Sequence, residues 1–262
     1  MVEHRWADAD YDRLAALASD LGRQQVSVIL TTSLVAARAA KAATSSIPVV
    51  FTIGDDPVKH GLVANLNRPG GNATGIAFML VELSAKRLEL LHELVPDAKV
   101  MAALVNPTNP NMQAQSEGLE AAARALGLRL YIVHGSEDAE LEAAFGSLGQ
   151  HGAQALFVGA DPFLFSRRQL LVRLAAKYAV PAIYEWREFP EIGGLASYAP
   201  SRREASRLAA VYAGRILAGA LPSELPVQRP TKFEFVLNSR TAKTLGLIIP
   251  PTLLARADEV IE

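Results

Sequence analysis

Residues 100 to 133 decide the fold: Val100-Met-Ala-Ala-Leu-Val105, a turn over Asn106-Pro-Thr-Asn-Pro-Asn111, Leu119, Ala122, Ala123 and Leu126 along one face, Gly127, then Leu130-Tyr-Ile-Val133. Six apolar residues bounded by an Asn-Pro turn read as a strand buried on both faces. The i, i+3, i+4, i+7 spacing that follows is one side of a helix, and Gly127 is its stop. A second short apolar run comes next. Strand, helix and strand in that order predict a parallel pair with the helix crossing one face of the sheet.

The same unit recurs on both sides. Upstream, Leu14, Leu17 and Leu21 predict a helix stopped by Gly22, followed by a strand over Val26-Ser-Val-Ile-Leu30. An alanine-rich helix from Leu34 to Thr44 leads to a strand over Ile47-Pro-Val-Val-Phe51, where Pro48 fits only the start or an edge position. Leu88, Leu91 and Val95 mark the helix before Val100. Downstream, Leu141 to Leu148 predicts a helix before a strand over Ala155 to Val158, and Leu171, Leu174 and Tyr178 a helix before Ala182 to Tyr184. Tyr178 is expected in the core. Ser201 and Glu204 form a capping box for a helix running to about Ala218.

The glycine-rich stretches Pro69 to Gly75 and Glu191 to Gly194 interrupt the series and predict changes of lobe. The expected organisation is α/β, with two Rossmann-like lobes of parallel sheet. Residues 1–75 form the first lobe, part of 199–262 returns to it, and 76–198 form the second.

Composition excludes several classes. The chain has 262 residues, 26 basic against 27 acidic, a net charge of -1, no cysteine and 50% hydrophobic residues. A near-neutral chain lacks the basic footprint of a nucleic-acid binder. Without cysteine there is no disulfide framework, thiol nucleophile or thiolate metal site, and the redox compartment stays open. No apolar run approaches the roughly 18–20 residues that span a bilayer. The start, Met1-Val-Glu-His-Arg-Trp-Ala-Asp8, has no apolar core of a signal peptide.

Enzyme motifs are not found. No Gly-x-Gly-x-x-Gly follows a strand, and Gly70 to Gly75 lacks the Lys-Ser/Thr of a phosphate loop. Gly146-Ser-Leu-Gly149 lies within a helical pattern, and the five histidines are not at metal-ligand spacing. No cofactor and no metal is expected. The positive signal is the polar groups at strand ends, where open parallel sheets bind ligands. Thr31, Thr32 and Ser33 follow one strand, Asp55 and Asp56 the next, then Asn106, Asn109 and Asn111, then Asp161, then Glu185. Hydroxyls and N–H groups at a helix start suit a carboxylate, and aspartates suit an ammonium group. Tyr184, Trp186, Tyr198, Phe163 and Phe165 offer an apolar wall. Helix caps and turns explain many of the same residues, and Asp56-Pro57 reads as an N-cap with proline at N1.

Phe51-Thr-Ile-Gly-Asp-Asp-Pro-Val-Lys-His-Gly-Leu-Val-Ala-Asn-Leu-Asn-Arg-Pro-Gly-Gly-Asn-Ala-Thr-Gly75 resembles a signature of the ABC-transporter substrate-binding proteins related to the tryptophan/tyrosine binders. Ala85-Lys-Arg-Leu-Glu-Leu-Leu91, Val158-Gly-Ala-Asp-Pro-Phe163, Asn238-Ser-Arg-Thr-Ala-Lys-Thr-Leu-Gly-Leu247 and Ile249-Pro-Pro251 are similar to the same family. The resemblance implies a type I periplasmic-binding-protein fold, two lobes joined by a hinge that close on a small solute in the inter-lobe cleft. It implies partnership with an ABC permease and its ATPase, a periplasmic location, and membrane contact only through the permease or a lipid anchor. Thr32 and Ser33 are implied as first-lobe contacts, Asn109, Asn111 and Asp161 as second-lobe contacts, and Asp56 and Tyr184 as further ones.

Two departures stand out. Aromatic-amino-acid binders tend to carry an acidic residue and Asp-Asn pairs where this chain has Asn109 and Asp161-Pro162, so the expected solute is an amino acid or related compound. Family members also carry an export signal and one strand–helix unit, on the order of 30 residues, before the segment resembling Val2-Glu-His-Arg-Trp6, so the first lobe is expected to be incomplete. Two alternatives share the fold: the effector-sensing core of a transcriptional regulator, and a doubly wound enzyme.

Overall fold

The computed structural model describes residues 1–8 and 10–262. The chain forms two compact units, one of Met1–Met79 with Pro200–Lys232 and one of Leu80–Ala199 with Phe233–Glu262.

The first unit opens with α1 (Arg13–Arg23), β1 (Ile29–Thr31), α2 (Leu34–Ala43), β2 (Val49–Ile53) and β3 (Ala73–Ala77), and its strands pair in parallel in the order β1-β2-β3. Side-chain alternation divides β2 between two cores. Val49, Phe51 and Ile53 pack with Leu34, Ala37 and Ala40 of α2, whereas Val50 joins the opposite core. Both faces are covered, which is why the strand is apolar throughout.

Gly75 lies opposite Phe51 in the ladder, and a Cβ there would stand 2.0 Å from the Phe51 carbonyl oxygen. The two strands approach this closely only because residue 75 has no side chain. Residues 1–8 form no helix or strand, and Val2 and Trp6 are exposed.

Three expectations shift here. Helix α1 continues through Gly22 and ends where Gln25 turns left-handed, at φ 52°. The strand expected over 26–30 is Ile29–Thr31, because pairing starts at the Ile29 N–H, which donates to the Pro48 carbonyl at 2.9 Å. The strand expected over 47–51 starts at Val49, since Pro48 has no N–H for the ladder.

The chain continues through α3 (Ser84–Leu94), β4 (Val100–Val105), α4 (Met112–Ala125), β5 (Arg129–His134), α5 (Asp138–Ser147), β6 (Ala155–Val158), α6 (Pro162–Ser166), α7 (Arg168–Lys177), β7 (Ala182–Tyr184), α8 (Glu188–Glu191) and β8 (Ala196–Pro200). It returns to the first unit for α9 (Arg202–Leu217), then gives the second unit β9 (Phe233–Asn238), α10 (Ser239–Thr244), α11 (Pro251–Arg256) and β10 (Glu259–Ile261). In the first unit α9 supplies Ala205, Ala209, Tyr212 and Ile216 to the core around Val50 and Ile76. Ser201 caps it by accepting from the Glu204 N–H at 3.4 Å.

The second sheet has the order β10-β9-β8-β7-β6-β4-β5, and its ladders β10–β9, β8–β7, β7–β6, β6–β4 and β4–β5 are parallel. Its largest core joins Leu88, Leu91 and Leu94 of α3 to Met101, Phe157, Ile183, Phe235 and Leu237 of the sheet. Each such side chain, fully buried, contributes about 1.5–3 kcal/mol relative to exposure. Helix α4 stops at Gly127, whose φ of 68° is the left-handed turn that glycine adopts without strain.

The crossings between units fall after Met79, Ala199 and Lys232, later than the lobe changes expected at 69–75 and 191–194. Each glycine-rich stretch feeds a strand, β3 or β8, and the chain changes unit only as that strand ends. Residues 233–262 belong to the second unit. Tyr178, expected in the core, is 40% exposed, because it caps α7 at its C-terminus instead of extending its buried face.

Candidate functional site

In the first unit the candidate groups lie where β1 and β2 end. Thr31 is buried and its Oγ1 has no hydrogen-bond partner. Thr32 is exposed. Ser33 is the N-cap of α2, accepting from the Ala36 N–H at 3.2 Å.

Beyond β2, Asp55 is buried, accepts from the Asp56 N–H at 2.8 Å through Oδ1, and pairs with His60 Nε2 through Oδ2. Asp56 accepts from the Val58 N–H at 2.8 Å. No helix starts at Asp56, contrary to the N-cap reading. Leu62 N–H bonds back to the Pro57 carbonyl at 2.8 Å, so the segment closes as a turn and Asp56 caps that turn.

In the second unit β4 and β6 lie side by side, so the loops after them meet. Asp161 sits at their junction, 4% exposed. Its Oδ1 accepts from Asn106 Nδ2 at 3.1 Å and from the Leu164 N–H at 2.9 Å, and its Oδ2 accepts from Asn109 Nδ2 at 2.7 Å. The bond from Leu164 makes Asp161 the N-cap of α6, with Pro162 in the first turn. Asn109 Oδ1 in turn accepts from the Asn111 N–H at 2.9 Å, and Asn111 Oδ1 is buried with no hydrogen-bond partner. The structure thus brings Asn106, Asn109, Asn111 and Asp161 into one network.

Tyr184, at the end of β7, is fully buried with its ring stacked on Phe189 at 4.3 Å. Its hydroxyl has no hydrogen-bond partner, and burial pushes its ionisation well above the ordinary range. Ser197, opposite Tyr184 in the ladder, also has a buried hydroxyl without a partner. The other aromatics are engaged in packing. Phe165 meets Phe189 edge-on at 6.0 Å, Tyr198 stacks on Phe233 at 5.7 Å, and Arg167 stands 5.2 Å over Phe163.

Sequence reading passed over Arg87. It is fully buried, its three guanidinium nitrogens have no hydrogen-bond partner, and it stands 4.5 Å over the Phe157 ring. Burial pulls the guanidinium down to about 10, and the carboxylate of Glu185, itself buried, partly offsets this. A signal was present: Arg87, Leu91 and Leu94 fall at i, i+4 and i+7, so the arginine stands on the apolar stripe. Among the described residues no group of three or more His, Cys, Asp or Glu could hold a metal ion, and no helix is long and apolar enough to cross a membrane.

The architecture is shared by solved proteins. The chain is similar to the ABC domain from Streptococcus pneumonia solved in complex with L-Trp, at 25% identity and a TM-score of 0.85, over 96% of this chain and 86% of that one. A conserved domain protein from Vibrio cholerae gives 26% identity and a TM-score of 0.87, over 96% and 84%. In sequence, the chain is 26% identical over 247 residues to the tyrosine-binding protein of Clostridioides difficile, covering 94% of this chain and 70% of that protein. Residues 1–261 match the family model described as ABC transporter substrate binding protein, and the chain belongs to that family, a class of solute receptors rather than of enzymes.

Proposed function

We propose that this chain is the solute receptor of an ABC importer for an amino acid or a closely related amphoteric solute, handing it to a membrane permease driven by its ATPase outside the cytoplasm. The observation that carries the reading is the likeness, over nearly the whole chain, to a family member solved with L-Trp. The strand-end groups of the two units, taken together, support it, since they supply the hydroxyls, amides, carboxylates and buried aromatics that suit such a solute.

The residues differ in what they have left to offer a solute. Ser33, Asp56 and Asp161 hold local backbone N–H groups, and in this reading they shape the loops that carry the contacts. Thr32 is exposed, and Asn111 has a buried acceptor without a partner, so these two are proposed as direct contacts. Asn109 is placed to orient Asn111. Tyr184 offers ring area next to Phe189.

Thermal unfolding in the presence of L-tryptophan, L-tyrosine, other amino acids, nucleosides and sugars tests the reading. Ligand at about 100 times its Kd stabilises by about 2.7 kcal/mol, which raises Tm by roughly 5–10 °C for a chain of this size. The expected result is such a rise with an amino acid that is recovered unchanged. A rise with sugars or nucleosides alone, or consumption of the ligand, overturns it.

A further inference from the structure

Arg87 heads the fully buried side chains by volume. An arginine sealed from water normally directs its five N–H groups at acceptors, and leaving them unmet is costly. Here Nε, Nη1 and Nη2 all lack a hydrogen-bond partner. The guanidinium lies against the Phe157 ring, which satisfies its charge on one face and none of its donors.

The nearest answer to its charge comes from the end of β7. Phe157 and Ile183 are register partners, so Glu185, two residues beyond Ile183, leaves the sheet on the face that carries Phe157 and Arg87. Its carboxylate acts on Arg87 through space without hydrogen bonding to it. The two buried groups are therefore opposite charges that attract each other with no hydrogen bond between them.

We propose that Arg87 and Glu185 are a two-charge receptor for the head group of an α-amino acid, the solute carboxylate taking the guanidinium donors and its ammonium meeting Glu185. The proposal rests on the amino-acid reading above and names the groups that recognise the head. Guanidinium and carboxylate match in a bidentate geometry, and an apolar neighbour such as Phe157 strengthens the attraction by excluding water. The first turn of α3, where Arg87 lies, starts at Leu83 with no side-chain cap.

Calorimetric titration of the full chain with L-tyrosine, 3-(4-hydroxyphenyl)propanoate (no ammonium) and tyramine (no carboxylate) tests it. Wild type is expected to bind L-tyrosine at least tenfold tighter than either analogue. R87M is expected to lose at least tenfold on the two carboxylate-bearing probes and little on tyramine. E185Q is expected to lose on L-tyrosine and tyramine but not on the propanoate. The double variant R87M/E185Q removes both charges together, and it gives the same reading on L-tyrosine if R87M does not fold. A purely structural pair would lower Tm in the single variants without changing the ranking of the probes.

R87M holding L-tyrosine within twofold of wild type overturns the receptor and leaves the amino-acid reading standing. Wild type binding the propanoate but not L-tyrosine overturns the amino-acid reading and the Glu185 half with it. Where none of the three binds, the same variants are titrated with the amino acid that gives the Tm rise, and an R87M within twofold of wild type on it overturns the receptor; no rise with any amino acid overturns the amino-acid reading.

Discussion

Asn109 Nδ2 stands 2.7 Å from Asp161 Oδ2, so the loop after β4 is tied to the loop after β6 by the carboxylate that also caps α6. A group with three donors on it serves first as a joint of the second unit. Changing Asp161→Ala removes a cap worth about 1 kcal/mol and strands two amide donors, for a loss of about 2–3 kcal/mol. Asp161→Asn is expected to be nearly as damaging, since its amide nitrogen turns a donor toward a donor. Urea denaturation measures both, and a loss under 0.5 kcal/mol in D161A would remove the joint.

Tyr184→Phe deletes a buried hydroxyl that has no partner, so it is expected to be neutral or to stabilise by up to about 1 kcal/mol. The pH dependence has a definite sign. Burial raises the folded ionisation above the ordinary 10.0, so the protein holds this proton where the unfolded chain has lost it. Its stability contribution is present below pH 10 and falls as pH rises further. Y184F should flatten that alkaline limb in denaturant midpoints taken between pH 9 and pH 11.

Gly75→Ala sets a Cβ 2.0 Å from the Phe51 carbonyl oxygen and 2.6 Å from its nitrogen. Both atoms are strand backbone, and relief means pulling β2 from β3. The expected loss is about 4 kcal/mol or more, in the range reserved for severe core damage. Soluble yield and Tm report it, and a variant melting like wild type would show that the ladder has slack here.

Glu140 receives the Ser136 N–H and hydroxyl, each at 2.7 Å, and these bonds hold its carboxyl below the usual 4.5. A depressed folded value gives stability that is present above pH 4.5 and is lost as pH falls through the folded value. E140Q is therefore expected to unfold more easily at pH 7 and to lose less on going to pH 3. Unfolding midpoints at the two pH values check the sign.

The strand ladder of the second unit was legible because buried parallel strands announce themselves. Val100–Val105, Ala155–Val158 and Ala182–Tyr184 are unbroken apolar runs between turn signals. β8 and β9 do not read as such runs, since Ser197 and Glu234 interrupt them, and β10 is only three residues long with Glu259 first.

The site was legible as a set of positions and not as a set of roles. Strand ends are marked by Asn and Asp, but only packing shows that Asp161 is spent on Asn106, Asn109 and Leu164. Arg87 was passed over because a charged residue in Ala85-Lys-Arg-Leu88 reads as the solvated side of a helix. His60, five residues from its partner Asp55, has no spacing signature, since a turn and not a regular element brings them together.

Because the chain crosses between units after Met79, Ala199 and Lys232, neither unit is contiguous. On a ribosome the first unit waits for Pro200–Lys232 to bring α9 against β2, and β8 waits longer for β9 to cover its edge. Nascent chains halted before residue 233 thus expose an unpaired β8 edge, which calls for chaperone protection until β9 has emerged.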